Sequence, residues 1–92
     1  MPSIAECEQD TIATLKDLTE GWDSAATSNI QTSTSIINDL GFESLDVVYL
    51  VSAIEQRYGR RDLPFERLLM TEGRYVDDLN VHQIAQFLHQ HL

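Results

Sequence analysis

The chain has 92 residues, 42% of them hydrophobic and 23% charged. That suffices for one small core, and is too little for a two-domain enzyme or a deep enclosed substrate pocket. Fifteen Asp and Glu against six Lys and Arg give a formal net charge of −9. Such a field repels nucleic acid and anionic membrane surfaces and favours a basic protein partner through long-range steering.

Residues 3–18 carry apolar side chains at Ile4, Cys7, Ile12, Leu15 and Leu18, one stripe of a helix. Ser3 suits its N-cap, and Glu6, three residues on, completes a capping box. Gly21 marks its end or the start of the following loop. Residues 22–35 are rich in Ser, Thr, Ala and Asn and read as a long loop, with Trp22 and Ile30 as its anchors to the core. A loop of this length in a small domain carries function or packs as a compact surface unit. A short helical turn is expected within residues 34–40. Residues 44–58 form the clearest helix: Val47, Leu50, Val51, Ile54 and Tyr58 share one face. Ser44 is placed as its N-cap and Gly59 as its left-handed stop. Pro64 then introduces a short helix over residues 65–70, and Gly73 centres a turn. A last helix runs from residue 81 to 91, with Asn80 as N-cap and Val81, Ile84, Ala85 and Leu88 as its core stripe.

No β-strand is expected. The fold class is all-α, a four-helix bundle with a long first loop and a short third helix, in one domain over residues 1–92. The expected core is Ile12, Leu15, Val47, Leu50, Val51, Ile54, Ile84 and Leu88. Cys7 stands alone, so no internal disulfide forms and a reducing compartment is consistent. With no leader-like or membrane-spanning apolar run, a cytoplasmic monomer is expected.

The informative stretch is Leu40-Gly41-Phe42-Glu43-Ser44-Leu45-Asp46. A loop with a flexible glycine delivers a serine to the first turn of an amphipathic helix, where its hydroxyl is reachable. A phosphate attached there lies near the positive end of the helix dipole. At about 100° per residue, Leu45, Tyr49, Ser52 and Gln56 fall opposite the core stripe. Leu45 and Tyr49 are therefore expected as exposed apolar groups beside Ser44, forming a docking surface.

This stretch resembles the motif of the acyl carrier protein family, whose usual core is Asp-Ser-Leu. The resemblance extends over most of the chain, including Leu63-Pro64 and Asp78-Leu79. It implies that Ser44 bears a covalent 4′-phosphopantetheine arm, derived from coenzyme A, on which acyl intermediates ride as thioesters. It also implies a phosphopantetheinyl transferase and acyl-loading and acyl-processing enzymes as partners, docking at the start and outer face of the serine-headed helix with Glu43 and Asp46 flanking Leu45 and Tyr49, and no catalysis by the chain itself. Three departures point to a specialised polyketide or fatty-acyl pathway rather than housekeeping fatty-acid synthesis. Glu43 replaces Asp, the serine-headed helix has few carboxylates, and the connection over residues 60–79 is long. Asp46, and the lack of Gly-Gly before the site, favour an acyl over an aminoacyl cargo.

The alternative function is a small acidic helical interaction module without a prosthetic group. It accounts for the charge but not for a serine, preceded by an acidic residue and followed by Leu-Asp, at a helix start. A metal site among His82, His89 and His91 is discounted on spacing, and Ser44 as a catalytic nucleophile lacks a nearby base. Cys7 lies between Glu6 and Glu8, which disfavour its thiolate. Asp77-Asp78 reads as loop and capping chemistry.

Overall fold

The computed structural model describes residues 2–92. Its four helices are α1 (Ile4–Leu18), α2 (Ser44–Tyr58), α3 (Phe65–Leu69) and α4 (Val81–His91). A 3₁₀ turn (Ala25–Ser28) lies in the long connection between α1 and α2. Strands β1 (Met70–Thr71) and β2 (Arg74–Tyr75) make a small antiparallel hairpin, with Met70 opposite Tyr75 and Thr71 opposite Arg74. This hairpin corrects the expectation of no strand. Two residues a side are too few for an alternation pattern to register in the sequence. Its turn runs through Glu72 and Gly73, both with positive φ.

The caps are largely those the sequence encodes. The Glu6 N–H donates to Ser3 Oγ at 3.1 Å and the Ser3 N–H to Glu6 Oε1 at 3.1 Å. Those bonds hold the Glu6 carboxyl below its ordinary range. Asn80 and Gln83 exchange the same pair of bonds at the start of α4, at 2.8 and 2.9 Å. Gly59 ends α2 in the left-handed conformation (φ 64°), which costs glycine nothing sterically. The first residue of α2 differs from expectation: Glu43 is the N-cap and Ser44 is the first helical residue. Asp46 decides this, because its Oδ2 reaches back to accept the Glu43 N–H at 2.9 Å.

α4 packs chiefly on α1, and α2 crosses α1 near its C-terminal end. There the Tyr58 hydroxyl donates to Asp10 Oδ2 at 2.7 Å and Arg57 Nε to Thr14 Oγ1 at 2.9 Å. Burial and the Asp10 bond together push the Tyr58 phenol well above its usual range. Ile12, Leu15, Leu50, Ile54, Ile84 and Leu88 are buried as expected. Val47 and Val51 are only half-buried, because one side of α2 opens onto a groove. Much of the remaining core comes from segments between helices. Ile30, Ile36, Leu40 and Phe42 are buried along the connection before α2, Leu63 before α3 and Leu79 before α4, with Phe65 at the start of α3. Trp22 is not a buried anchor: it remains 36% exposed and lies against Phe42 with ring centroids 5.4 Å apart, covering that residue from outside.

The long connection is tied to the start of α4 rather than left free. The Ile36 N–H donates to the Leu79 carbonyl at 2.9 Å, and Ser35 pairs with Asn80 in antiparallel fashion. In return, the first two N–H groups of α4, at Val81 and His82, donate to the Thr34 and Thr32 carbonyls at 3.1 and 2.9 Å. With the Asn80 side chain on the Gln83 N–H, three donors that a helix start normally leaves unpaired are satisfied. The helical turn expected at residues 34–40 is present: Asp39 Oδ2 accepts the Ser35 N–H at 2.7 Å, and the Asp39 and Leu40 N–H groups donate to the Ser35 carbonyl. Gly41, at φ 74°, turns the chain out of it toward Phe42.

Candidate functional site

Phe42 fixes the approach to α2. Its ring is buried and its N–H donates to the Ile36 carbonyl at 2.9 Å, so the chain leaves the core there and surfaces at Glu43 and Ser44. Ser44 is exposed. As the first helical residue rather than the N-cap, its hydroxyl is not engaged in capping, and it bonds to no side chain or backbone group of the described residues. The first-turn N–H groups of α2 emerge beside it, and the positive end of the helix dipole favours an anionic group at that point.

Beside Ser44 runs an apolar groove with a volume of about 620 Å³. The turn before α2 supplies one wall through Ile36 and Ile37, and α2 supplies Val47, Val48 and Val51. Phe65 and Leu69 of α3, Tyr75 of the hairpin and Val76 just after it form the facing side. The groove is an open cleft that runs out to the serine, not a closed cavity.

The docking residues named from the sequence are distributed as follows. Leu45 and Tyr49 are 61% and 54% exposed, on the outer face of α2 with Ser52 and Gln56. Glu43 is exposed at the N-cap. Asp46 is half-buried and occupied by the Glu43 N–H, so it serves the helix start as well as the surface. Sequence reasoning missed Val48, 58% exposed between Leu45 and Tyr49, and Tyr75, 78% exposed on the hairpin. Val48 had a legible signal: the apolar arc of α2, with Val47 and Val48 adjacent, is wider than one core stripe requires. Tyr75 had none, because its placement depends on the hairpin.

Asp78, read from the sequence as loop and capping chemistry, binds backbone N–H groups, including two far along the chain. Its Oδ1 accepts the Ile37 N–H at 2.9 Å and the Leu79 N–H at 2.8 Å, and its Oδ2 accepts the Asn38 N–H at 3.0 Å. Burial alone raises its pKa, but these backbone donors outweigh it and hold the carboxyl below the ordinary range.

A model of phosphopantetheine attachment sites matches residues 11–72. The chain belongs to this family of carrier domains. It is also 38% identical over 61 residues to an acyl carrier protein of Campylobacter hominis, a match spanning 62% of this chain and 77% of that protein. No solved structure matches the chain. The phosphopantetheine carrier presents a prosthetic group rather than catalysing a reaction, and its family implies a phosphopantetheinyl transferase and acyl-processing enzymes in general as partners. The arm needs one reachable hydroxyl with space around it, and Ser44 fits that requirement: exposed, unbonded and at the mouth of a groove. Tyr75 and all of α4 lie beyond the matched stretch.

The histidines are engaged elsewhere. His82 Nδ1 lies 2.9 Å from Glu8 Oε2, His89 Nδ1 lies 3.1 Å from the Pro2 carbonyl, and the His91 ring packs on Phe87. Among the described residues, no group of three His, Cys, Asp or Glu side chains is arranged to hold a metal. Also among them, no helix is long and apolar enough to cross a membrane. Cys7 is fully buried, and that burial, more than the neighbouring carboxylates, pushes its thiol up.

Proposed function

We propose that Ser44 is the attachment point of the 4′-phosphopantetheine arm and that the carrier serves a specialised acyl pathway of the polyketide or fatty-acyl type. One observation carries the first part. Ser44 is an exposed, unbonded hydroxyl at the first residue of α2, delivered there by a buried Phe42 and a left-handed Gly41. When bound, the arm supplies a terminal thiol for thioester chemistry. The chain's own residues hold the serine out, favour an anionic phosphodiester through the start of α2, and offer an apolar groove to the aliphatic part of a cargo. The acyl carrier relative supports an acyl rather than an aminoacyl cargo.

The specialised role is supported by the outer face of α2. Leu45, Val48 and Tyr49 are all more than half exposed, and the helix after Asp46 adds only Glu55 among carboxylates. Partner enzymes therefore dock through Leu45 and Tyr49, flanked by Glu43 and Asp46. The acidity of the whole chain steers encounter, and apolar contact supplies residence. Enzymes of fatty-acid synthesis, which meet a more acidic helix, use this carrier poorly.

The test is intact mass after incubation with coenzyme A, Mg²⁺ and a broad-range phosphopantetheinyl transferase. The wild type gains one arm and Ser44→Ala gains none. Modification of Ser44→Ala at the wild-type rate refutes the assignment.

A further inference from the structure

Asp78 stands outside the motif, 34 positions after the serine, yet it grips the segment that delivers Ser44. Its two carboxylate oxygens hold the N–H groups of Ile37 and Asn38, residues 41 and 40 positions earlier in the chain. The same Oδ1 also holds the Leu79 N–H, and Leu79 in turn accepts from the Ile36 N–H at 2.9 Å. The carboxylate and its neighbour thus close a short loop of hydrogen bonds around residues 36–38. From there the chain has one route to the serine. The Ile36 carbonyl accepts from Phe42 and the Ile37 carbonyl from Gly41, each at 2.9 Å, and Glu43 and Ser44 follow directly.

We propose that Asp78 is a positioning residue for arm attachment: its carboxylate clasps the turn at residues 36–38 and so fixes the path by which Ser44 reaches the first turn of α2. This rests on the reading of Ser44 as the attachment point. Asp78 and Leu79 also line the groove, as do Ile36 and Ile37, so the clasp joins two of the groove's walls beside the serine. Four features favour a positioning role over generic packing. The side chain is polar and only half-buried, its bonds are to backbone N–H groups, two of the three cross the fold to Ile37 and Asn38, and they are charge-assisted.

Losing the clasp lets residues 36–42 sample other paths, and the transferase then meets a smaller fraction of competent carrier. The apparent affinity falls by that fraction while the chemistry in the bound state is unchanged. The KM for the apo-carrier in arm transfer should therefore rise about tenfold in Asp78→Ala, with kcat nearly constant. Asp78→Asn is the graded variant. Its carbonyl oxygen still serves the Ile37 and Leu79 N–H groups, while its NH₂ opposes the Asn38 N–H, so its KM should fall between the two. Leu15→Val, in α1 and away from the groove, controls for lost stability.

The experiment measures transferase kinetics on the full apo chain, together with amide hydrogen exchange at Ile37 and Asn38. The proposal expects faster exchange at both positions in Asp78→Ala and mainly at Asn38 in Asp78→Asn, with the ordered rise in KM. An unchanged KM in Asp78→Ala overturns it. So does a rise no larger than that of Leu15→Val, compared at equal distances below their melting temperatures. If the wild type takes no arm at all, the Ser44 reading fails. The exchange pattern then decides the clasp by itself.

Discussion

Ile54 and Tyr49 lie five positions apart on α2, and the fold places them in opposite surroundings. Ile54 is 2% exposed in the core, and Tyr49 is 54% exposed on the face beside Ser44. Ile54→Ala leaves a cavity between helices, a change that costs about 2–5 kcal/mol. At roughly 0.05–0.15 kcal/mol per residue, a chain of this length has about 5–14 kcal/mol in total, so the substitution removes a large share. A loss of about 3 kcal/mol lowers Tm by about 12–24 °C in a domain of this size. Tyr49→Ala removes a side chain that is mostly in water already, and should stay within about 0.5 kcal/mol of wild type. The functional order is reversed. As an apolar docking anchor, Tyr49 should contribute more than about 1–2 kcal/mol to binding a cognate acyl-processing enzyme, a loss of about tenfold or more in kcat/KM. Thermal melts followed by circular dichroism, then kinetics of the arm-loaded carrier well below Tm, measure both effects. A Tyr49→Ala melt as depressed as that of Ile54→Ala refutes the assignment of faces. Undiminished turnover of Tyr49→Ala, with fatty-acid enzymes working as well as cognate ones, refutes the apolar docking mode.

Two further outcomes follow from the titrating groups. Cys7 is fully buried, and that burial pushes its thiol up; native protein should resist thiol-alkylating reagents, and rapid labelling without denaturant contradicts that burial. The Asp78 carboxyl is lowered in the fold, so its stabilisation is complete above the ordinary Asp value of about 3.9 and is lost as pH falls through its lower folded value. The urea midpoints of wild type and Asp78→Asn should therefore differ at neutral pH and converge in acid. A gap that stays constant down through that range contradicts the clasp's charge-assisted character.

The helices and their caps were legible because each rests on local chemistry: Ser3 with Glu6, Asn80 with Gln83 and the left-handed Gly59 act within a few residues. Ser44, the proposed attachment point, was singled out by its motif. Its position within the helix start was misjudged by one residue, since serine is a favoured N-cap by propensity while here the Asp46 carboxylate bonded to the Glu43 N–H makes Glu43 the cap. The groove and the clasp were not legible, for a different reason. Ile36, Phe42 and Leu79 lie in segments with no helical periodicity, so their burial leaves no pattern. Asp78 reads as loop chemistry until its partners, some forty residues earlier, are seen beside it.

That division bears on how a carrier of this size presents a serine. The C-terminal end of α2 is locked to α1 by Tyr58 on Asp10 and Arg57 on Thr14. If Ser44 takes the arm, as proposed, the N-terminal end cannot be locked in the same way without burying the hydroxyl that a transferase must reach. It is held instead through the chain that leads into it, by Phe42 in the core and residues 36–38 on Asp78 and Leu79. Indirect anchoring leaves Ser44 free of hydrogen bonds while limiting the paths by which it arrives. It also explains why a connection too polar to read as a core segment contributes four buried apolar residues, Ile30, Ile36, Leu40 and Phe42. The connection holds the path into α2 through buried Phe42 and the clasped residues 36–38, while Glu43 and Ser44 just beyond it stay exposed.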